Sequence, residues 1–315
     1  MRATRHLTVA ANAVLAVVMA TATPALAQDP LDSFSQITPQ KSSKLTSFNP
    51  LVTGAASPAD LRSVICEAIL TKSGKPMQHG LTWRVFSPIP DADGKLPLLA
   101  SSEGGSAAFQ LVPGEYFVNV AFGRAGATKK LTVPQSGSVD KQVMVLDAGG
   151  IMLNAVSGSD VRIPPEELSF SVYSSEVRDD GERSLVVADI KPNTVVRLNA
   201  GTYHVVSDYG TVNAVIRADI QVEAGKLTEA TIQHRAAKLT LKLVSEPGGE
   251  AIADTAWSIL TASGDVVSES VGAFPTIVLA EGEYTAVARN KEKIFQRDFT
   301  VKAGENTDVE VLLTH

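Results

Sequence analysis

From about residue 58 onward, apolar residues fall at every second position in short stretches. Val64, Cys66, Ala68 and Leu70 alternate with polar or smaller neighbours, as do Phe109 and Leu111, Tyr116 and Val118, Val196 and Leu198, Ile277 and Leu279, and Val309 and Val311. Alternation of period two over four to eight residues is the signature of a strand with one buried face. Gly, Pro, Asn and Asp interrupt these stretches every 8–12 residues or so, as turns between strands require. No stretch sustains the 3.6-residue period of an amphipathic helix. The pattern therefore predicts an all-β protein.

The alternating stretches recur as three copies of one unit. The anchors are Val112-Pro113-Gly114-Glu115-Tyr116, Asn199-Ala200-Gly201-Thr202-Tyr203 and Ala280-Glu281-Gly282-Glu283-Tyr284, whose tyrosines lie 87 and 81 residues apart. Each Tyr is preceded by a Leu five positions earlier (Leu111, Leu198, Leu279), and by a large aromatic 33, 33 and 27 positions earlier (Trp83, Phe170, Trp257). Downstream, Leu131-Thr132-Val133, Ile220-Gln221-Val222 and Phe299-Thr300-Val301 each lead to a Gly and then to a last alternating strand. The units run over 58–147, 148–236 and 237–315, with about seven short strands in each. This is the pattern of small antiparallel β-sandwiches in tandem. The junctions Asp147-Ala148-Gly149-Gly150 and His234-Arg235-Ala236-Ala237 leave almost no spacer, which predicts an elongated end-to-end array.

The first 27 residues have another character. Arg2 and Arg5 precede an uncharged apolar run from Leu7 to Ala22, and Ala25-Leu26-Ala27 provides a small-x-small cleavage pattern. That is a secretory signal peptide. Residues 28–57 are rich in Ser, Thr, Pro, Gln and Asn and hold no sustained period, so they read as a largely disordered arm. The intact chain of 315 residues carries a formal charge of −6, and loss of two arginines with the signal peptide makes it −8. An acidic exported protein has no electrostatic attraction to nucleic acid, and no later apolar run predicts membrane insertion. Export without a wall-sorting motif points to the periplasm, with secretion as the alternative.

The repeated residues read as structural. A Tyr placed after Gly-x at the start of a strand can bury its ring and donate its hydroxyl to nearby backbone, pinning a corner. This is the role expected of Tyr116, Tyr203 and Tyr284. Gly114, Gly201 and Gly282 would supply backbone freedom at that turn, and Trp83, Phe170 and Trp257 would plug the cores.

The run Phe109-Gln110-Leu111-Val112-Pro113-Gly114-Glu115-Tyr116-Phe117-Val118 resembles the prealbumin-like, Ig-like sandwich repeats of carboxypeptidase regulatory-like and collagen-adhesin B-type domains. The likeness covers about 35 residues of each copy, with Ala200 and Glu281 standing where Pro113 stands in the first. The resemblance implies seven-stranded transthyretin-like sandwiches serving as stalk, spacer or binding module, and it carries no catalytic residue. Some collagen-adhesin B-type domains join a Lys of the first strand to an Asn of the last, and Lys242 and Asn306 occupy candidate positions for such a crosslink.

The sequence carries few signs of chemistry. There is no G-x-S-x-G elbow, and Cys66 lies in an apolar alternating strand where a thiol acts as a small hydrophobe. His79, His204, His234 and His315 are widely separated and match no metal-binding spacing. Asp91-Ala92-Asp93-Gly94 has calcium-loop character only in part and reads as a hairpin turn, as does Asp179-Asp180-Gly181. Lys129-Lys130 and Lys291-Glu292-Lys293 read as solvated loops following the Tyr strands. No catalytic, metal or cofactor site is expected. The sequence points to a non-enzymatic structural or protein-interaction module of the cell envelope, its partner an envelope protein or a polysaccharide, with an accessory carbohydrate-binding module as the alternative. Pairing of a partner strand with a sheet edge is the interaction mode the architecture offers most readily.

Overall fold

Val64, Cys66 and Ala68 of the first strand are fully buried while Ser63, Ile65 and Glu67 point outward or lie at the rim, so the alternation becomes the pleat of a sheet. The computed structural model describes residues 60–313. The signal peptide and arm expected at 1–27 and 28–57 lie outside the described residues.

The first repeat contains β1 (Arg62–Ile69), β2 (Leu81–Phe86), β3 (Leu98–Gly104), β4 (Ala107–Leu111), β5 (Gly114–Phe122), β6 (Ala125–Val133) and β7 (Gln142–Val145). The second contains β8 (Ala148–Ser157), the two-residue β9 (Val161–Arg162), β10 (Leu168–Val177), β11 (Arg183–Ile190), β12 (Val195–Asn199), β13 (Gly201–Tyr209), β14 (Ala214–Val222) and β15 (Leu227–His234). A 3-10 turn, Pro165–Glu167, precedes β10. The third contains β16 (Ala236–Val244), β17 (Thr255–Thr261), β18 (Val266–Val271), β19 (Thr276–Ala280), β20 (Gly282–Asn290), β21 (Lys293–Val301) and β22 (Thr307–Leu312).

Every repeat forms the same two sheets. One has the order β3-β2-β5-β6, matched by β11-β10-β13-β14 and β18-β17-β20-β21. The other has the order β4-β1-β7, matched by β12-β8-β15 and β19-β16-β22. Neighbours are antiparallel except that the first and last strands of each repeat pair in parallel, β1 with β7, β8 with β15 and β16 with β22. Alternation gives the period of a strand but not its direction, so this detail is not readable from the pattern alone.

The two sheets of each repeat enclose one apolar cluster, built around Trp83 and Phe109, Phe170 and Ile151, and Trp257 and Leu241. All six of those side chains are at most 2% exposed. The tryptophan indoles are also satisfied: Trp83 Nε1 donates to the Gly105 carbonyl at 2.8 Å and Trp257 Nε1 to the Gly272 carbonyl at 3.0 Å. Burying an aromatic ring while pairing its N–H gives a core both apolar area and orientation.

Candidate functional site

The three tyrosines stand at equivalent corners. Tyr116 donates its hydroxyl to the Val112 carbonyl at 2.8 Å, Tyr203 to Asn199 at 2.9 Å and Tyr284 to Ala280 at 3.0 Å, in each case four residues back. Gly114 and Gly201 open their strands at φ +157° and +154°, a region that disfavours side chains. Gly282 does not share it, and a Cβ there would meet the Tyr284 ring at an ordinary 3.5 Å. The backbone freedom expected at all three glycines is thus used at two.

The most elaborate geometry lies where one repeat meets the next. In the first joint the turn between β5 and β6 presents Gly123, at φ +64°, to β12 of the second repeat, where a Cβ on the glycine would sit 3.0 Å from Arg197 Cβ. The Arg197 guanidinium lies over the Phe122 ring, 4.5 Å from its centre. Asn199 then bridges the joint. Its Nδ2 donates to the carbonyls of Gly126 at 3.1 Å and Leu146 at 2.7 Å, and its Oδ1 accepts from Gly126 N–H at 3.1 Å.

The second joint uses the same surfaces with different side chains. The turn between β13 and β14 presents Gly210, at φ +72°, to β19, where an added Cβ would lie 2.7 Å from Val278 Cβ. Asn213 of the turn donates to the Tyr284 hydroxyl at 2.9 Å and accepts from Ala280 N–H at 2.9 Å. Glu167 and Lys238 form an ion pair across this joint. Equivalent backbone bonds close both joints: Ala200 N–H donates to Asp147 O at 2.6 Å and Glu281 N–H to Arg235 O at 2.8 Å. A second pair of turns meets alongside, Thr71 against Gly225 in the first joint and Gly158 against Gly304 in the second. The short junctions predict an end-to-end array but not the side chains that meet in it. The asparagines that fasten it carried no repeat signal, because Asn199 belongs to the incoming repeat and Asn213 to the outgoing one.

The second repeat places a histidine and two serines at buried positions. His234 is fully buried, shares a 2.7 Å hydrogen bond through Nε2 with Ser207 Oγ, and packs edge-on against Tyr209. The corresponding pair in the first repeat is Leu146 and Val120, both buried and apolar. Ser157 Oγ, also buried, bonds the Ala236 carbonyl at the passage into the third repeat. His234 Nδ1 has no hydrogen-bond partner among the described residues. Burial pushes the imidazole down from 6.5 to about 4, so it is neutral near pH 7.

The remaining sequence candidates do not converge. Cys66 is buried in β1, and burial raises its thiol to about 11. Lys242 pairs with Asp308, while Asn306 uses its Oδ1 to accept from Lys238 N–H at 2.8 Å, so the structure does not bring Lys242 and Asn306 together. Lys129 and Lys130 lie within strand β6, not in a loop, and Lys130 pairs with Glu115 at 2.9 Å across to β5. Thr128, Lys129 and Lys130 are successive exposed residues, so the alternation lapses in mid-strand and resumes at buried Leu131. Asp91 caps its own turn, Oδ1 accepting from Asp93 N–H and Lys95 N–H at 3.0 and 2.9 Å. No cluster of three or more metal-ligating side chains occurs among the described residues.

A family model described as the Rhizobiales growth-associated tandem repeat domain matches residues 238–313, which run from the third residue of β16 to just beyond β22. No curated protein matches the chain. Among solved structures, the chain is similar to the Bacillus anthracis TIE protein at 16% identity and a TM-score of 0.24, over 81% of this chain and 50% of that one. It is also similar to a streptococcal ancillary pilin at 12% identity and a TM-score of 0.26, over 80% and 98% of the two chains. The minor pilin GBS52 of Streptococcus agalactiae matches at 13% identity and a TM-score of 0.31, over 55% and 95%.

Proposed function

We propose that this protein is an exported, non-enzymatic spacer and protein-interaction module of the cell envelope, which holds a rigid spacing and offers sheet edges to a partner. The observation that carries the reading is the pair of joints, where glycine close approach and bridging asparagines are spent on fixing one repeat against the next. A chain whose repeated residues serve cores, corners and joints is built to keep shape. The match of the third repeat to a growth-associated tandem repeat domain supports a role connected with growth.

The edge strands support the interaction half of the proposal. β3, β11 and β18 are each an edge of their four-stranded sheet and expose Leu98, Leu185 and Val271 at 53%, 56% and 76%. An unpaired edge with exposed aliphatic side chains can take an added strand through main-chain hydrogen bonds. Among the described residues, Phe274 is the one aromatic in the group of exposed large hydrophobic side chains, so protein is favoured over sugar stacking as the partner.

The test is capture from the native envelope with the mature protein, identification of the bound species, and amide exchange with that species added. Slowed exchange along β3, β11 or β18 with a bound protein supports the reading. A bound polysaccharide with unchanged edge amides would replace it with the carbohydrate-binding alternative, and a cytoplasmic location of the intact chain would remove the envelope role.

A further inference from the structure

The two joints obey common rules, and the two outer faces of the described array break them. In both joints, the residue of closest approach in the turn after the tyrosine strand is a glycine of positive φ, Gly123 or Gly210, against which a neighbouring Cβ lies where a side chain would have to be. The third repeat has Lys291 at that position, at φ 55°, in the turn between β20 and β21. A lysine side chain stands where the next repeat's strand would have to come.

At the other face of each joint, the second residue after the repeated Leu (Leu198, Leu279) donates its N–H to the linking peptide, as Ala200 does to Asp147 and Glu281 to Arg235. The first repeat has Pro113 there, which has no N–H to donate. Gly225 and Gly304 each meet the preceding repeat. On the outgoing face the place of Thr71 and Gly158 is taken by Glu246, whose side chain adds bulk and charge.

We infer that Lys291 and Pro113 close the two outer faces of the described array, so that copies of this chain do not add head to tail. A head-to-tail surface that does not close on itself generates filaments, and repeat arrays avoid this with end repeats that refuse a further neighbour. The inference follows from the joints alone and stands whether or not the chain is exported. Its consequence is that partners reach the rod from its sides.

The test uses the mature chain, Gly210→Lys, and the double variant Pro113→Ala/Lys291→Gly, compared by sedimentation velocity over rising concentration and by amide exchange. The wild type should sediment as one species throughout. Gly210→Lys, which copies the third turn into a joint, should keep its strand signal in circular dichroism while Glu281 N–H loses protection by about tenfold or more. The double variant should sediment faster as concentration rises. If Gly210→Lys does not fold, Gly123→Lys at the first joint and the double variant carry the test. Wild-type oligomers with crosslinks from Lys291 to the first repeat, unchanged Glu281 protection in a folded Gly210→Lys, or a double variant that stays monomeric would each overturn the inference.

Discussion

Gly210 and Val278 approach across the second joint so closely that a methyl group on the glycine would lie 2.7 Å from Val278 Cβ, nearer than carbon atoms pack. Gly94 has nearly the same backbone, φ +75° against +72°, yet open space around it. Alanine at either position meets the strain of a left-handed backbone, about 1 kcal/mol. Only Gly210→Ala also overpacks a joint, which adds about 1–3 kcal/mol. Denaturant unfolding of the two variants should separate them by that margin, and equal costs would show that the joint yields without resistance.

Tyr284 joins a corner to a joint, because its hydroxyl donates to Ala280 O and accepts from Asn213 Nδ2. Tyr116→Phe should cost about 0.5–1.5 kcal/mol, the net value of one hydrogen bond. Tyr284→Phe should cost more. In a double-mutant cycle, Tyr284→Phe and Asn213→Ala should couple by about 0.5 kcal/mol or more, while Tyr116→Phe and Asn213→Ala, which share no partner, should add.

His234 makes the second repeat acid-sensitive. Its folded value of about 4 lies below the ordinary 6.5, so the unfolded chain takes up this proton first and stability falls as pH is lowered. The contribution is whole above pH 6.5 and is lost progressively between 6.5 and 4, a loss of about 3 kcal/mol at the acid end. The variant His234→Leu/Ser207→Val, which copies the Leu146 and Val120 pair of the first repeat, should flatten this part of the pH–stability curve. His234→Leu alone should be less stable than the double variant near pH 7, since it strands the buried Ser207 hydroxyl.

Cys66 provides a reporter for the first repeat. Fully buried, with burial raising its thiol to about 11, it should resist a thiol reagent at pH 8 in the folded protein and react at the rate of an ordinary cysteine once the chain is unfolded. Rapid labelling under native conditions would show that β1 detaches from its sheet.

The sandwich architecture was legible because period-two alternation and turn residues are local signals, and because three copies let Tyr116, Tyr203 and Tyr284 align one another. Trp83 and Trp257 were legible as plugs for the same reason. The joints were legible only as an absence of spacer. Gly123 and Gly210 look like any hairpin glycines until β12 and β19 are brought against them, a relation between residues 68 or more positions apart. His234 was hidden differently. On the chain it is a lone histidine beside a junction, and only the pairing of β15 with β8 and the facing of Ser207 from β13 show it as a core residue. The parallel pairing of first and last strands was beyond the reach of alternation, which carries no direction, and the place of Lys129 and Lys130 within β6 was hidden because three successive exposed residues, Thr128 to Lys130, interrupt the pattern there.

The central claim is that the repeats are held as one rigid body by their joints. Residual dipolar couplings of the backbone amides of β1–β7, β8–β15 and β16–β22, measured on the mature protein in one aligned sample, test it most directly. A single alignment tensor that fits all three sets is the result the joints predict; three tensors of different magnitude or orientation would show repeats that move independently and would contradict it.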